Sequence, residues 1–204
     1  MKKLKNLLIV TLLVSSASSY AVEITPIYGY RAGGEFIDND TQQKHTVESS
    51  EMYGFIIGFP YERGQDWEIY YSHQSSDIRS VNLTQPTATS TADIPLTIDY
   101  LHIGGTAPIS EENKLKTFVS GGVGFTYLSP DFSGFQSDLR ASLSIGIGLK
   151  YFLSENIAVR LEARGLGTLF NSNAALFCNG GCSLSVNGSL FTQIEAFAGL
   201  AFRF

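Results

Sequence analysis

The chain has 204 residues, 44% of them hydrophobic and only 16% charged, with a mean hydropathy of +0.06. That length suits one domain or a compact pair, and twenty glycines with 12% aromatics against six prolines exclude a disordered chain. A net charge of −5 disfavours a nucleic-acid partner, and the one long apolar run, 7–14, is too short to cross a bilayer as a helix.

Residues 1–21 read as an export signal. A basic start, Met-Lys-Lys-Leu-Lys, precedes an apolar stretch, and Ser19 and Ala21 put small residues at the −3 and −1 places of a cleavage site. No cysteine follows the apolar run, which disfavours a lipoprotein. Removal of this segment takes away Lys2, Lys3 and Lys5 and no acid. It leaves 11 basic against 19 acidic residues, net −8. The expected domain is therefore 22–204, exported and acidic.

From Val22 onward the sequence alternates in twos rather than in helical threes and fours. Strands are expected at 23–33, 52–60, 66–75, 96–108, 116–128, 139–153, 157–165 and 190–204, most near the ten or so residues that cross a bilayer with tilt. The last three are the clearest. In 190–204, Leu190, Thr192, Ile194, Ala196, Ala198, Leu200, Phe202 and Phe204 share a face, while Gln193, Glu195 and Arg203 lie on the other. In 157–165, Ala158, Arg160, Glu162 and Arg164 alternate with Ile157, Val159, Leu161 and Ala163.

The connections alternate too. Short ones fall at 61–65, 110–115 and 154–156, and long polar ones at 35–51, 76–95, 129–136 and 169–188. That sorting predicts an all-β, eight-stranded, antiparallel up-and-down transmembrane barrel with both termini on the short-turn side. The uniform apolar face should meet lipid and the mixed face a packed polar lumen. Tyr28, Tyr30, Tyr53, Phe59, Tyr61, Trp67, Tyr71, Tyr127, Tyr151 and Phe202, near strand ends, suit interfacial girdles.

Eight strands leave an interior that side chains just fill. The inward set includes Arg31, Glu68, Tyr100, His102, Arg140, Lys150, Arg160, Glu162, Arg164, Glu195 and Arg203, with Gly104, Gly122, Gly124, Gly146 and Gly148 leaving room for them. Buried charge must be paired, so an ion-pair network is expected across the lumen. Lys150 and Arg160 flank the 154–156 turn symmetrically, with Glu162 as the neutralising partner. Fold-specifying polar packing and a narrow solute pathway both fit such a lumen.

Among the loops, 35–51 holds Glu35, Asp38, Asp40, Glu48 and Glu51 against Lys44 alone, net −4. It suits divalent cations bridging lipopolysaccharide, a basic partner, or simple solvation. Cys178 and Cys182, flanking Asn-Gly-Gly, most simply form a disulfide in an oxidising compartment; redox or zinc use would call for other spacing or further ligands.

His73, Ser75 and Ser76 raise the question of catalysis, because a His-x-Ser on one strand shares a face. The acids near in sequence are Glu68 and Asp77, and Glu68 has the opposite parity to His73. A hydrophilic rim is the simpler account, so no enzyme, cofactor or metal site is expected.

Taken together, the signal segment, the eight strands, the loop alternation and the ending Leu200, Phe202, Phe204 resemble the small Gram-negative outer-membrane barrels of the OmpA transmembrane-domain, OmpX and OmpW types. The opening strand, ITPIYGYRAGGEF, is similar to that of porin-like outer membrane protein β-barrel families. The resemblance covers essentially all of 22–204. It implies an outer-membrane location, outer-membrane lipid and lipopolysaccharide as surroundings, and recognition of the C-terminal signature by the barrel-assembly machinery. The OmpA family proper continues into a periplasmic peptidoglycan-binding domain; this chain stops at strand eight, so that activity is not carried over. The function expected is a structural or surface-interaction role through extracellular loops. A narrow passive channel for small or hydrophobic solutes comes second, and a lipid-modifying enzyme third.

Overall fold

Period-two patterning becomes strand from Glu23 to Arg203 in a computed structural model that describes residues 22–37, 43–82, 91–131, 136–170, 174–176, 184–186 and 190–204. In chain order the strands among these are β1 (Glu23–Ala32), β2 (Glu35–Ile37), β3 (Gln43–Val47), β4 (Ser50–Pro60), β5 (Asp66–Asn82), β6 (Thr91–Glu112), β7 (Leu115–Pro130), β8 (Asp138–Phe152), β9 (Ile157–Leu169), β10 (Ala174–Leu176), β11 (Leu184–Val186) and β12 (Leu190–Arg203). Eight of them, in the order β5-β4-β1-β12-β9-β8-β7-β6, form a wall that the β5–β6 pairing closes. Every ladder is antiparallel, and closure through β5–β6 leaves none of the eight wall strands with an unpaired edge facing lipid.

Alternation of residue type is alternation of side. Ile145 on β8 and Ile194 on β12 are 70% and 66% exposed on the outer wall, whereas Arg31 and Arg160 are fully buried inside. A soluble barrel would reverse this arrangement. No helix among the described residues is long and apolar enough to cross a membrane; the strands do the crossing. Phe59, Tyr61, Trp67, Tyr151 and Phe202 are exposed toward the end that carries both termini, and Tyr30, Tyr53 and Tyr127 toward the other.

The short turns are built from local chemistry. A 3-10 turn over Glu62–Gly64 holds Arg63 and Gly64 at positive φ (57° and 74°). The β6–β7 reversal is tighter than the expected 110–115: β6 runs to Glu112, and Asn113 takes φ 50°, a conformation that asparagine tolerates better than most side chains. Pro108, which has no N–H to donate, sits at a register shift in the same strand.

The long connections differ from expectation. Much of 35–51 and 76–95 is strand: β2 and β3 pair with each other, β3 pairs with the upper part of β5, and β5 pairs with β6 from Ser76 to Ser80. Polar alternation hides these strands in the sequence, because beyond the lipid both faces of a ladder can meet water. The 169–188 connection likewise carries the β10–β11 hairpin. Residues 1–21, Asp38, Asp40, Cys178 and Cys182 lie outside the described residues, and with them the export-signal and disulfide expectations.

Candidate functional site

Two polar constellations stand out, one in the bore and one on the outer wall. In the bore the inward charges form stacked groups. Toward the terminus-bearing end, Lys150 Nζ donates to Glu23 Oε1 at 2.6 Å and to Asp66 Oδ2 at 3.4 Å. Arg203 Nη2 reaches the other Glu23 oxygen at 3.2 Å, and Lys116 lies 3.7 Å from Asp66.

The central group joins opposite walls. β5 and β9 are four strands apart in the ring of eight, yet Arg160 on β9 forks onto Glu68 on β5, with Nη1 to Oε1 at 2.6 Å and Nη2 to Oε2 at 3.1 Å. The same guanidinium binds Glu162 Oε2 through Nε (2.9 Å) and Nη2 (2.5 Å). Glu162 Oε1 accepts from Arg164 Nε (2.9 Å), Arg164 Nη2 (2.7 Å) and Ser120 Oγ (2.6 Å). Such charge-assisted, forked bonds are the arrangement that makes buried charge tolerable.

Above it, Arg31 donates to Glu195 Oε2 through Nε and Nη2 at 3.0 and 2.8 Å. Tyr70 donates to Glu195 Oε1 at 2.5 Å, and Tyr100 on β6 donates to Gln193 on β12, again on the opposite wall, at 2.9 Å. Arg31 also lies 4.8 Å from the centre of the Tyr100 ring. His102 bonds Ser142 (2.8 Å) and Ser144 (3.1 Å).

Small residues make room for these groups. A Cβ on Gly148 would come within 2.5 Å of the Phe118 ring, on whose face Arg160 sits at 4.7 Å. One on Gly146 would lie 2.9 Å from Glu162 Oε1.

The sequence-derived set is thus divided. Arg31 and Glu195 pair; Glu68, Arg160, Glu162 and Arg164 form one cluster. Lys150 and Arg160 are cross-strand partners as expected, but Lys150 is neutralised by Glu23 and Asp66 rather than by Glu162. Arg140 stays apart and bonds Asp138 Oδ2 at 2.9 Å near the far rim. Sequence reasoning missed Glu23, Asp66 and Lys116. Glu23 shares its parity with Arg31, and Asp66 with Glu68, so parity alone carried that signal. Leu200, Phe202 and Phe204 face outward. In the acidic 35–51 segment, Glu48 is ion-paired with Arg79 on β5.

The outer-wall constellation centres on His73. Glu68 points into the bore, as its parity predicts, and takes no part. The acid beside His73 is Asp99, its cross-strand partner on β6. His73 Nδ1 lies 2.8 Å from Asp99 Oδ1 and Nε2 lies 3.3 Å from Ser75 Oγ. Because a carboxylate only accepts, Nδ1 carries the proton on that side, and in the neutral imidazole Nε2 is then the nitrogen that can accept from Ser75. Tyr71 also donates to Asp99 Oδ1 at 2.9 Å, and the Tyr53 ring lies 4.9 Å from the imidazole. Ser76 points inward and bonds the Glu48 carbonyl at 2.5 Å. The described residues contain no cluster of His, Cys, Asp and Glu suited to a metal ion.

Comparison with known proteins agrees with the architecture. Neisserial surface protein A superposes with a TM-score of 0.53 at 13% identity, over 92% of this chain and 98% of that one. The outer membrane protein OprG from Pseudomonas aeruginosa gives 0.55 at 15%, over 91% and 96%. The outer membrane protein AlkL gives 0.51 at 10%, over 93% of each chain. At these identities the likeness is one of fold. No curated protein matches the chain in sequence. The family model described as outer membrane protein beta-barrel domain matches residues 7–191, and the chain belongs to that family, whose place is the Gram-negative outer membrane.

Proposed function

We propose that this chain is a closed outer-membrane barrel with a structural and surface-interaction role, its lumen a plug and its long strand extensions the binding surface. The observation that carries this reading is the Arg160–Glu68 fork, which joins opposite walls through bonds of 2.6 and 3.1 Å where a conducting path would have to run. The Tyr100–Gln193 bond repeats the crossing at another level. Residues 1–21 direct export and are cleaved. Leu200, Phe202 and Phe204 present the signature that the barrel-assembly machinery reads. The Cys178–Cys182 disulfide shapes the last extracellular connection. Lipopolysaccharide surrounds the outer half of the wall, and an extracellular ligand or surface partner meets the extensions.

Single-channel recording in planar bilayers tests the plug. Silence or rare small events are expected; stable, large openings would overturn it in favour of a passive channel.

A further inference from the structure

Beyond a structural role, we infer that Ser75, His73 and Asp99 form a nucleophilic triad on the lipid-facing wall that cleaves fatty acyl esters of membrane lipids. Asp99 Oδ1 accepts from His73 Nδ1 at 2.8 Å, and His73 Nε2 stands 3.3 Å from Ser75 Oγ, so the imidazole is strung between an acid and a hydroxyl with one nitrogen on each. That is the connectivity by which a base activates a serine and an acid fixes the tautomer of the base, and the base–nucleophile contact is often loose before substrate binds. Tyr71 holds the same Asp99 oxygen at 2.9 Å, which fixes the carboxylate from a second side. A polar rim that only meets headgroups needs no such order.

The position of the cluster names the substrate class. The parity that buries Tyr70, Ser72, Gln74 and Ser76 turns His73 and Ser75 outward, and the burial of Ile98, Tyr100 and His102 does the same for Asp99. Ionisable side chains on a lipid-facing wall are rare and call for a functional account. Ser75 lies eight residues up β5 from the exposed Trp67 of the lower girdle. At about 3.4 Å per residue and about 40° of tilt it stands about 21 Å higher, within an apolar band of about 25 Å. That is the outer interface, flanked by Tyr53 and Tyr127 on neighbouring ladder positions. There the ester bonds of lipid lie between the acyl chains and the headgroups.

The reaction balances with water as co-reactant. Ser75 Oγ attacks the ester carbonyl as its proton passes to His73 Nε2. The acyl–oxygen bond then breaks, the alcohol part of the lipid leaves with that proton, and the acyl group remains on Ser75. Water, deprotonated by Nε2, attacks the acyl-serine; fatty acid departs and Oγ recovers the proton. Asp99 stays ionised throughout.

The test uses the full chain without residues 1–21, folded into phosphatidylethanolamine–phosphatidylglycerol vesicles with or without lipopolysaccharide. Released fatty acid is measured by mass spectrometry, and the reactive serine is mapped with a fluorophosphonate probe. Fatty acid release from either lipid and labelling at Ser75 are expected, and the arm that reacts identifies the lipid. Ser75→Ala and His73→Ala should lower release more than 100-fold and Asp99→Asn on the order of 10²-fold or more, with each variant's folded state checked by heat-modifiable gel migration. If the folded wild-type protein neither releases fatty acid in either arm nor labels at Ser75, or if release survives in folded Ser75→Ala, the inference is wrong. Channel recordings are unaffected by either result.

Discussion

Replacement of Arg160 by methionine is the most informative perturbation of the bore. The side chain is fully buried and makes four bonds, two to Glu68 and two to Glu162. Without it, among the described residues Glu68 keeps only Arg164 at 3.8 Å, and Glu162 must share that same arginine at 2.7 Å. Two buried carboxylates would then lean on one guanidinium. Breaking a buried pair in this way costs about 3–5 kcal/mol. The double variant Arg160→Met/Glu68→Met removes both charges of the fork and leaves Glu162 with Arg164 as a one-to-one pair. It should recover most of the loss and end within about 1–2 kcal/mol of wild type, because an apolar pair of similar volume often replaces a buried ion pair without penalty. The assay is denaturant unfolding of the barrel in detergent micelles, read by Trp67 fluorescence and by gel mobility, with a double-mutant cycle over the four proteins. A single variant within about 1 kcal/mol of wild type, or a double variant as damaged as the sum of its singles, would refute the electrostatic account of the plug.

Three further outcomes follow from the same geometry. Ile145→Arg, at the middle of the outer face of β8, should destabilise the barrel by about 2–4 kcal/mol in a bilayer; a neutral result in the unfolding assay would put that face in water instead. Gly148→Ala pushes a methyl group toward the Phe118 ring, 2.5 Å away, and should cost about 1–3 kcal/mol, while unchanged stability would mean that the ring is not packed there. Tyr100→Phe leaves the Gln193 amide without its cross-bore donor and should cost about 1 kcal/mol by equilibrium unfolding, with no cost if that bond is absent in solution.

How much of this was legible in the chain depends on whether one strand or several must be known. Parity is local: each residue of β8, β9 and β12 is assigned to lipid or lumen by its neighbours two places away, so Ile145, Arg160 and Glu195 could be placed from the sequence. The short turns at 61–65 and 154–156 were legible too, whereas the β6–β7 reversal came out tighter than the sequence suggested. The polar strands β2, β3 and the upper parts of β5 and β6 were not, since ladders surrounded by water on both faces lose the apolar alternation that marks them.

Partnership across strands is a different kind of information. Lys150 meets Glu23 and Asp66, and Arg160 meets Glu68 on the opposite wall, because the stagger of the closed barrel brings those heights together. His73 finds its acid in Asp99, 26 residues away, through the β5–β6 register. A composition that is 44% hydrophobic, with its one long apolar run too short to cross a bilayer as a helix, is explained by alternation along single strands. Pairs two places apart, such as His73 with Ser75 or Arg160 with Glu162, belong to a single strand. Which charges meet across the bore, and which carboxylate stands beside the imidazole, only closure, stagger and register decide, because these are not properties of any one strand.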